Sequence, residues 1–141
     1  MNLTSINDIY AYAVSLLTRR EHFTKELIQK LQKKEIPRDL IDETIEKLHE
    51  RNYLDDVRAT EIFVLESKRK KRGFLKIVNE LRVRGVTGVE SDIRMLYTAD
   101  EEHKIAQKLL LQIHKPSKEK KYRYLFNRGF SPDIIRMAAA D

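Results

Sequence analysis

The sequence predicts an all-α protein, and three observations support that prediction. Apolar residues recur at helical spacing along most of the chain, and no segment keeps up the alternation of apolar and polar residues that a strand would need. Only four glycines and three prolines interrupt the 141 residues. With 41% hydrophobic and 35% charged residues, the composition is typical of a helix-rich protein with few turns.

The first third of the chain is predicted to form three helices. The apolar residues between Ile6 and Leu17 fall on one helical stripe, Thr24 is placed to cap a second helix, and Pro37 suits the first position of a third. The second and third helices carry apolar residues on one side: Leu27, Ile28 and Leu31, then Ile41, Ile45 and Leu48. The other faces of the third helix are acidic.

The middle of the chain, from Tyr53 to Val86, is the most distinctive stretch. The pair Asp55-Asp56 is placed to cap a helix, which ends in the basic run from Lys68 to Arg72. Gly73 is predicted to break that helix, and Gly85 to end the short helix that follows. Thr87 to Glu90 then has the form of a capping box that begins the next helix.

The last third is also predicted to be helical. Thr98 to Glu101 is a second capping box, and Pro116 ends the helix that it begins. A basic helix then carries Tyr122, Leu125 and Phe126 at apolar spacing and stops at Gly129. Ser131-Pro132 provides an N-cap and a first-turn proline for a final helix.

A repeated pattern divides these helices into three groups. When Leu31, Leu81 and Leu125 are aligned, the residues four positions later are Glu35, Gly85 and Gly129, and each is soon followed by a residue that starts a helix. The pattern predicts three tandem three-helix repeats, residues 1–52, 53–98 and 99–141. Because a repeat of this size has a thin core, each needs its neighbour, and we expect an elongated, curved array.

Positive charge is concentrated in two patches. Eight basic and two acidic residues between Glu66 and Arg84 give a local balance of +6, which equals the formal charge of the whole chain. We define the central patch as Lys68, Arg69, Lys70, Lys71, Arg72, Lys76, Arg82 and Arg84. The second patch contains Lys120, Lys121, Arg123, Tyr124 and Arg128. These are the predicted binding residues for a protein partner or DNA.

Each patch has a simpler interpretation as well. A charge run at a helix end is often only solvated surface, but Lys76, Arg82 and Arg84 extend the central patch across the next helix, which favours a binding surface. Aromatic side chains among cations can stack on bases. Tyr122 has core-facing spacing, so we expect Tyr124 to be the more accessible of the two tyrosines.

Enzymatic and metal-binding functions are not indicated. None of the glycines belongs to a phosphate-binding loop, the four histidines are widely separated, and the absence of cysteine excludes a thiolate ligand or nucleophile. We therefore expect no cofactor, no metal and no enzyme activity. A helix-turn-helix that reads the major groove is disfavoured too, because the last helices of the first two predicted repeats are acidic or nearly neutral.

The setting is predicted to be cytoplasmic. No window approaches 18 consecutive apolar residues, and the basic residues near the N-terminus follow the apolar ones, the reverse of a secretory signal. We therefore expect no membrane association. The sequence pI near 9.5 indicates a polyanionic partner or an acidic protein surface.

Three sets of residues, in order and at matching spacing, carry a family resemblance. The sets are Arg19 to His22, Glu26-Leu27 and Lys30-Leu31; Tyr53 to Asp56, Arg58, Phe63-Val64, Gly73, Ile77 to Leu81 and Arg84 to Val86; and Tyr124-Leu125, Arg128 to Phe130 and Ile134 to Arg136. They resemble the first, central and third repeats of the RecX regulatory proteins, bacterial modulators of the RecA recombinase. Two stretches depart from the family pattern: Lys71 to Phe74 and Thr87 to Val89.

The resemblance implies a fold and a partner. Family members are right-handed arrays of three-helix repeats that bind along the groove of the RecA–DNA filament and block filament extension, ATP hydrolysis and strand exchange, without being enzymes. The resemblance thus implies a monomeric modulator, mainly an inhibitor, of RecA, with weak binding to single- or double-stranded DNA. The alternative is a nucleic-acid-binding protein without sequence specificity that affects recombination indirectly.

Overall fold

Residues 3–140 are described by a computed structural model, and all regular secondary structure in that range is helical. The nine helices within residues 3–140 are α1 (Ile6–Arg19), α2 (Thr24–Lys33), α3 (Arg38–Glu50), α4 (Asp56–Arg69), α5 (Phe74–Val83), α6 (Glu90–Leu96), α7 (Ala99–Leu110), α8 (Lys118–Asn127) and α9 (Pro132–Ala139). The prediction of an all-α fold is confirmed.

The chain divides into two compact units, Met1–Ala59 and Thr60–Asp141. The boundary between them falls within α4. The three repeats at residues 1–52, 53–98 and 99–141, and the array expected of them, stay predictions; Met1, Asn2 and Asp141 lie outside the described residues.

The positions aligned in the repeat analysis share one backbone conformation. Glu35, Gly85 and Gly129 all adopt left-handed φ angles, of 59°, 85° and 79° respectively. Each lies just beyond a helix, α2, α5 and α8, where a left-handed residue commonly ends the helix. The sequence alignment therefore identified three equivalent helix ends, one of which uses a glutamate where the others use glycine.

The first unit has a core built by α1, α2 and α3. Helix α3 packs against both α1 and α2. The buried residues of this core are Ile9, Ala13, Leu27, Leu31, Ile36, Ile41, Ile45, Leu48 and Leu54. They include predicted inward-facing residues of all three helices, because each helix has one apolar stripe at the required spacing, while Tyr10, Leu16, Leu17 and Ile28 of the predicted stripes are only partly buried against this core.

A carboxylate from α4 caps α2 in the first unit. Asp56 Oδ1 accepts hydrogen bonds from the Thr24 backbone N–H at 2.8 Å and from the Thr24 hydroxyl at 3.0 Å. Helix α2 begins at Thr24, and Phe23 holds the N-cap position. The predicted role of Thr24 as N-cap was therefore wrong. The cap comes instead from a residue 32 positions later, close to the ion pair of Arg58 with Glu21 at 2.7 Å.

The second unit has its main core among α7, α8 and α9. Helix α9 packs against α7 and α8. The buried residues are Ala106, Leu109, Leu110, Leu125, Phe130, Ile134, Ile135 and Ala138. On α4 the buried positions are Ala59, Thr60, Val64 and Ser67, whereas Val57, Ile62 and Leu65 are exposed.

Glu102 of α7 is fully buried and connects three helix ends of the second unit. Its Oε2 accepts hydrogen bonds from the backbone N–H of Phe74 at 3.0 Å and of Ser131 at 3.3 Å. Its Oε1 accepts from the Ser131 hydroxyl at 3.2 Å and pairs with Arg94 at 3.0 Å. A buried carboxylate requires such partners, and here they join the starts of α5 and α9 to α6.

The two predicted capping boxes had different outcomes. Thr98 and Glu101 cap α7 as predicted, since Thr98 Oγ1 accepts from the Glu101 N–H at 3.1 Å and Glu101 Oε1 accepts from the Thr98 N–H at 3.0 Å. The box at Thr87 to Glu90 was wrong, because Val89 is the N-cap of α6 and no side chain caps it. Gly88 has a φ of 72°, which is incompatible with an already helical chain there.

Candidate interaction surface of the second unit

The start of α5 lies directly against the end of α8. Gly73 N–H donates to the Arg128 carbonyl at 2.9 Å, and the Leu75 and Lys76 N–H groups donate to the Gly129 carbonyl at 2.9 and 3.3 Å. This approach requires glycine: a Cβ atom on Gly129 would lie 2.3 Å from Lys76 Cβ. The contact brings the central patch next to Arg128 of the second patch, so the two patches predicted separately adjoin each other.

The turn between α4 and α5 is held in place by buried groups. The Tyr97 hydroxyl donates to the Arg72 carbonyl at 2.9 Å, and the Arg72 N–H donates to the Ser67 carbonyl at 3.0 Å. Burial, together with the nearby charge of Glu102, raises the pKa of Tyr97, so its hydroxyl remains a donor. The turn presents Lys71 in a left-handed conformation, with a φ of 62°.

Most of the basic run from Lys68 to Arg72 is paired within the protein. Lys68 pairs with Glu101 and also donates to the Leu96 carbonyl at 3.2 Å. Glu66 accepts ion pairs from Arg69 and from Lys70, and Arg72 pairs with Glu80 at 3.5 Å. The hydrogen bond from Arg69 holds the pKa of Glu66 below its ordinary value, and that from Lys68 lowers the pKa of Glu101.

Two further arginines of the patches lie over aromatic rings. The Arg84 guanidinium is 4.7 Å from the centre of the Phe63 ring and donates to the Glu80 carbonyl at 3.1 Å. The Arg128 guanidinium is 3.7 Å from the centre of the Tyr124 ring. Such stacking leaves the positive charge in place while fixing the side chain.

The accessibility expected for the α8 tyrosines was reversed. Tyr124 packs against the core of the second unit and beneath Arg128, whereas Tyr122 is 40% exposed and Phe126 57% exposed. Tyr122 and Phe126 stack on one another, with ring centres 6.2 Å apart and planes 15° from parallel. Leu125 alone of this helix is fully buried, so α8 rests on a narrower apolar face than its sequence suggested.

Five cations of the two patches have neither an ion pair nor an aromatic-ring contact among the described residues. We call them the unpaired cations: Lys71, Lys76, Arg82, Lys120 and Arg123. All but the half-buried Lys76 are exposed. Lys121 is half-buried and lines a separate cavity that also includes Leu110 and Ile113. Twelve of the thirteen predicted residues thus divide by contact into paired, stacked and unpaired groups, and Lys121 belongs to none of them.

An apolar part of this surface was not predicted from the sequence. Leu75 and Val83 of α5 are exposed, as are Tyr122 and Phe126 of α8. A signal was present for α5: each exposed residue stands two positions from a buried one, Ile77 or Leu81, which places it on the opposite side of a helix.

Residues 3–140 contain neither a candidate metal site nor a candidate membrane-spanning helix. No group of three or more histidine, aspartate or glutamate side chains there is arranged to hold a metal ion. None of the helices in that range is both long and apolar enough to cross a membrane.

Comparison with known proteins relates the chain to one family. The family described as "RecX, first three-helix domain" matches residues 10–48, which lie within α1 to α3. The regulatory protein RecX of Pelodictyon phaeoclathratiforme is 35% identical over 134 residues, covering 90% of this chain and 84% of the relative. The RecX protein of Halorhodospira halophila is 31% identical over 135 residues, covering 91% of this chain and 84% of the relative.

Solved structures agree on the fold. The crystal structure of RecX from Lactobacillus salivarius superposes with a TM-score of 0.84, at 24% identity, over 96% of this chain and 94% of that one. A second crystal structure, of a regulatory protein RecX, gives a TM-score of 0.83 at 21% identity, covering 96% of this chain and 75% of that one. With relatives above 30% identity along nearly the whole chain and the same helical fold, the protein belongs to the RecX family of regulatory proteins.

Proposed function

We propose that this protein regulates a RecA recombinase by binding the RecA–DNA filament, lying in its groove as a monomer and blocking ATP hydrolysis and strand exchange. The action is physical occlusion, without catalysis or a cofactor, in the cytoplasm. Family membership supports the regulatory role, and one observation carries the proposed contact: the five unpaired cations lie on the turn before α5, on α5 and on α8, and these two helices are in direct contact.

The pairing of each cation determines how much it can contribute to binding. A paired lysine or arginine must give up or share its carboxylate before it can neutralise an anionic partner, so part of the new attraction is offset. The unpaired cations carry no such cost. We therefore expect the anionic groove of the RecA–DNA filament to be contacted mainly through Lys71, Lys76, Lys120 and Arg123, with Arg82 as a further contact.

The test compares two variants that remove the same charge. The first replaces unpaired cations by glutamine: Lys71, Lys76, Lys120 and Arg123. The second replaces paired cations, of which all but the half-buried Lys47 are exposed: Arg38, Lys47, Arg69 and Lys70, whose partners are Asp42, Glu43 and Glu66. Inhibition of the DNA-dependent ATPase of RecA should weaken at least about tenfold in the first variant, equal to about 1.4 kcal/mol of binding.

The control variant should lose much less than the first. Equal losses would mean that only net charge matters, and an unchanged first variant would mean that these cations are solvated surface. Binding to naked DNA and to RecA-coated DNA, measured in parallel, separates the two candidate functions. Tighter binding to naked DNA would favour the nucleic-acid-binding alternative over a filament modulator.

A further inference from the structure

Helices α5 and α8 form the walls of an open groove in the second unit. Leu75, Asn79 and Val83, at every fourth position of α5, line one side, and Phe126 and Asn127 of α8 line the other. Gly129 and Phe130 also line it, and its volume is about 470 Å³. That volume is within the usual range of ligand-binding clefts, about 300–1,000 Å³.

Exposed apolar surface is concentrated at this groove. Val83 is 72% exposed, Phe126 57% and Leu75 38%, and Tyr122, stacked on Phe126, continues the α8 wall. These are four of the eleven large apolar side chains that are exposed among the described residues. Isolated exposed apolar residues are ordinary, but a contiguous group in a concave site indicates an interaction surface.

Backbone hydrogen bonds between the two walls fix the shape of the groove at one end. The Gly129 carbonyl accepts from Leu75 N–H and Lys76 N–H, and Arg128 O accepts from Gly73 N–H, so one end of the groove is closed by hydrogen bonds between its walls. These contacts fix the spacing of α5 and α8 at that end. A preformed site loses little free energy to ordering when it binds.

Charge and polarity around the groove define what fits it. Lys76 lines the groove and Arg123 stands one helical turn before Phe126 and Asn127; both are unpaired cations. The carboxylate that lines the groove, Glu80, is already paired with Arg72 at 3.5 Å. The amides of Asn79 and Asn127 can each donate to a peptide carbonyl and accept from a peptide N–H.

From this combination we infer that the α5–α8 groove is a docking site for a short peptide segment of a protein partner, with apolar side chains at its centre and acidic residues on either side. The apolar centre lies against Leu75, Val83 and Phe126, while Lys76 and Arg123 attract the flanking carboxylates. The inference goes beyond the proposed function, because it requires neither DNA nor RecA.

Single-stranded nucleic acid fits the groove less well. Bases stack on aromatic faces, but the α5 wall is aliphatic, with Leu75 and Val83. On the α8 wall Tyr122 and Phe126 already cover part of each other's faces. Aliphatic side chains of a peptide, in contrast, pack well against both walls.

The test measures fluorescence anisotropy of a short labelled peptide in which a Leu-Phe pair stands between runs of glutamate. The parent protein should bind it, but not a peptide with lysines in place of the glutamates or with serines in place of Leu-Phe. Phe126→Ala should weaken binding about tenfold. Because Phe126 is exposed, its loss should leave the melting temperature nearly unchanged.

Two controls make the result specific. Met137→Ala removes another exposed apolar side chain, on α9 and outside the groove, and should bind the peptide like the parent. The double change Lys76→Gln with Arg123→Gln should weaken binding of the acidic peptide, more at low salt than at high salt. Failure of the parent to bind, or equal binding by Phe126→Ala, would overturn the inference. The inference would also be overturned if the parent protein bound oligothymidylate instead of the peptide and Phe126→Ala abolished that binding.

Discussion

A single added methyl group at Gly129 should separate the start of α5 from the end of α8. In Gly129→Ala the new Cβ would lie 2.3 Å from Lys76 Cβ and 2.6 Å from Lys76 N, and the residue would keep a φ of 79°. The left-handed conformation alone costs an alanine about 1 kcal/mol. Relief of the overlap adds about 1–3 kcal/mol, since it must move α5 away from the Gly129 carbonyl.

Gly88→Ala is the matched control for this change. Gly88 also has a left-handed φ, of 72°, but nothing lies within 4 Å of the position where its Cβ would be. It should therefore show the conformational cost alone, about 1 kcal/mol. Urea unfolding followed by circular dichroism gives both free energies, and we expect Gly129→Ala to cost about 1–3 kcal/mol more than Gly88→Ala. Equal costs would refute the close contact between α5 and the Gly129 backbone.

Three further predictions concern stability. Glu102→Gln should lower the free energy of unfolding in urea by about 3 kcal/mol, because it removes the charge of a fully buried carboxylate that pairs with Arg94. Glu101→Gln, at the next position, changes a more exposed ion pair and should lower it by under about 1 kcal/mol. Glu35→Gly should stabilise by up to about 1 kcal/mol, since relief of its left-handed φ outweighs the added freedom of the unfolded chain. Burial lowers the pKa of His22 below 6.5, so the unfolded chain takes up a proton there first, and stability should fall as the pH drops below 6.5. That fall should shrink in His22→Gln but persist in His114→Gln; a fall unchanged in both would contradict it.

Helix positions could be predicted because their signals are local. Thr98 and Glu101 are three residues apart, so the capping box is legible in the sequence and occurs as predicted. The box at Thr87 failed for an equally local reason, the left-handed turn at Gly88. The caps supplied by Asp56 and Glu102 come from 32 and 28 residues away, and no pattern within one helix indicates such a partner.

The candidate surface was only partly predictable from the sequence. Its basic residues are conspicuous, but their partners are not: Glu101 is 33 positions from Lys68 and pairs with it only because the fold brings α7 to the end of α4. The buried face of α8 was predicted wrongly, because this short helix carries apolar residues on two faces, one with Tyr122 and Phe126 and one with Tyr124 and Leu125. Tertiary packing selected Tyr124 and Leu125 for the interior and left Phe126 outside.

The closed start of α5 also limits how this surface can recognise anions. A helix start usually offers its free N–H groups to phosphate at fixed positions. Here the N–H groups of Gly73, Phe74, Leu75 and Lys76 all donate to protein acceptors. A phosphate brought to this surface would therefore meet long lysine and arginine side chains rather than a rigid cradle. Recognition through such side chains responds to charge density and tolerates changes in phosphate spacing, so a stretched and a relaxed polynucleotide should be accepted alike.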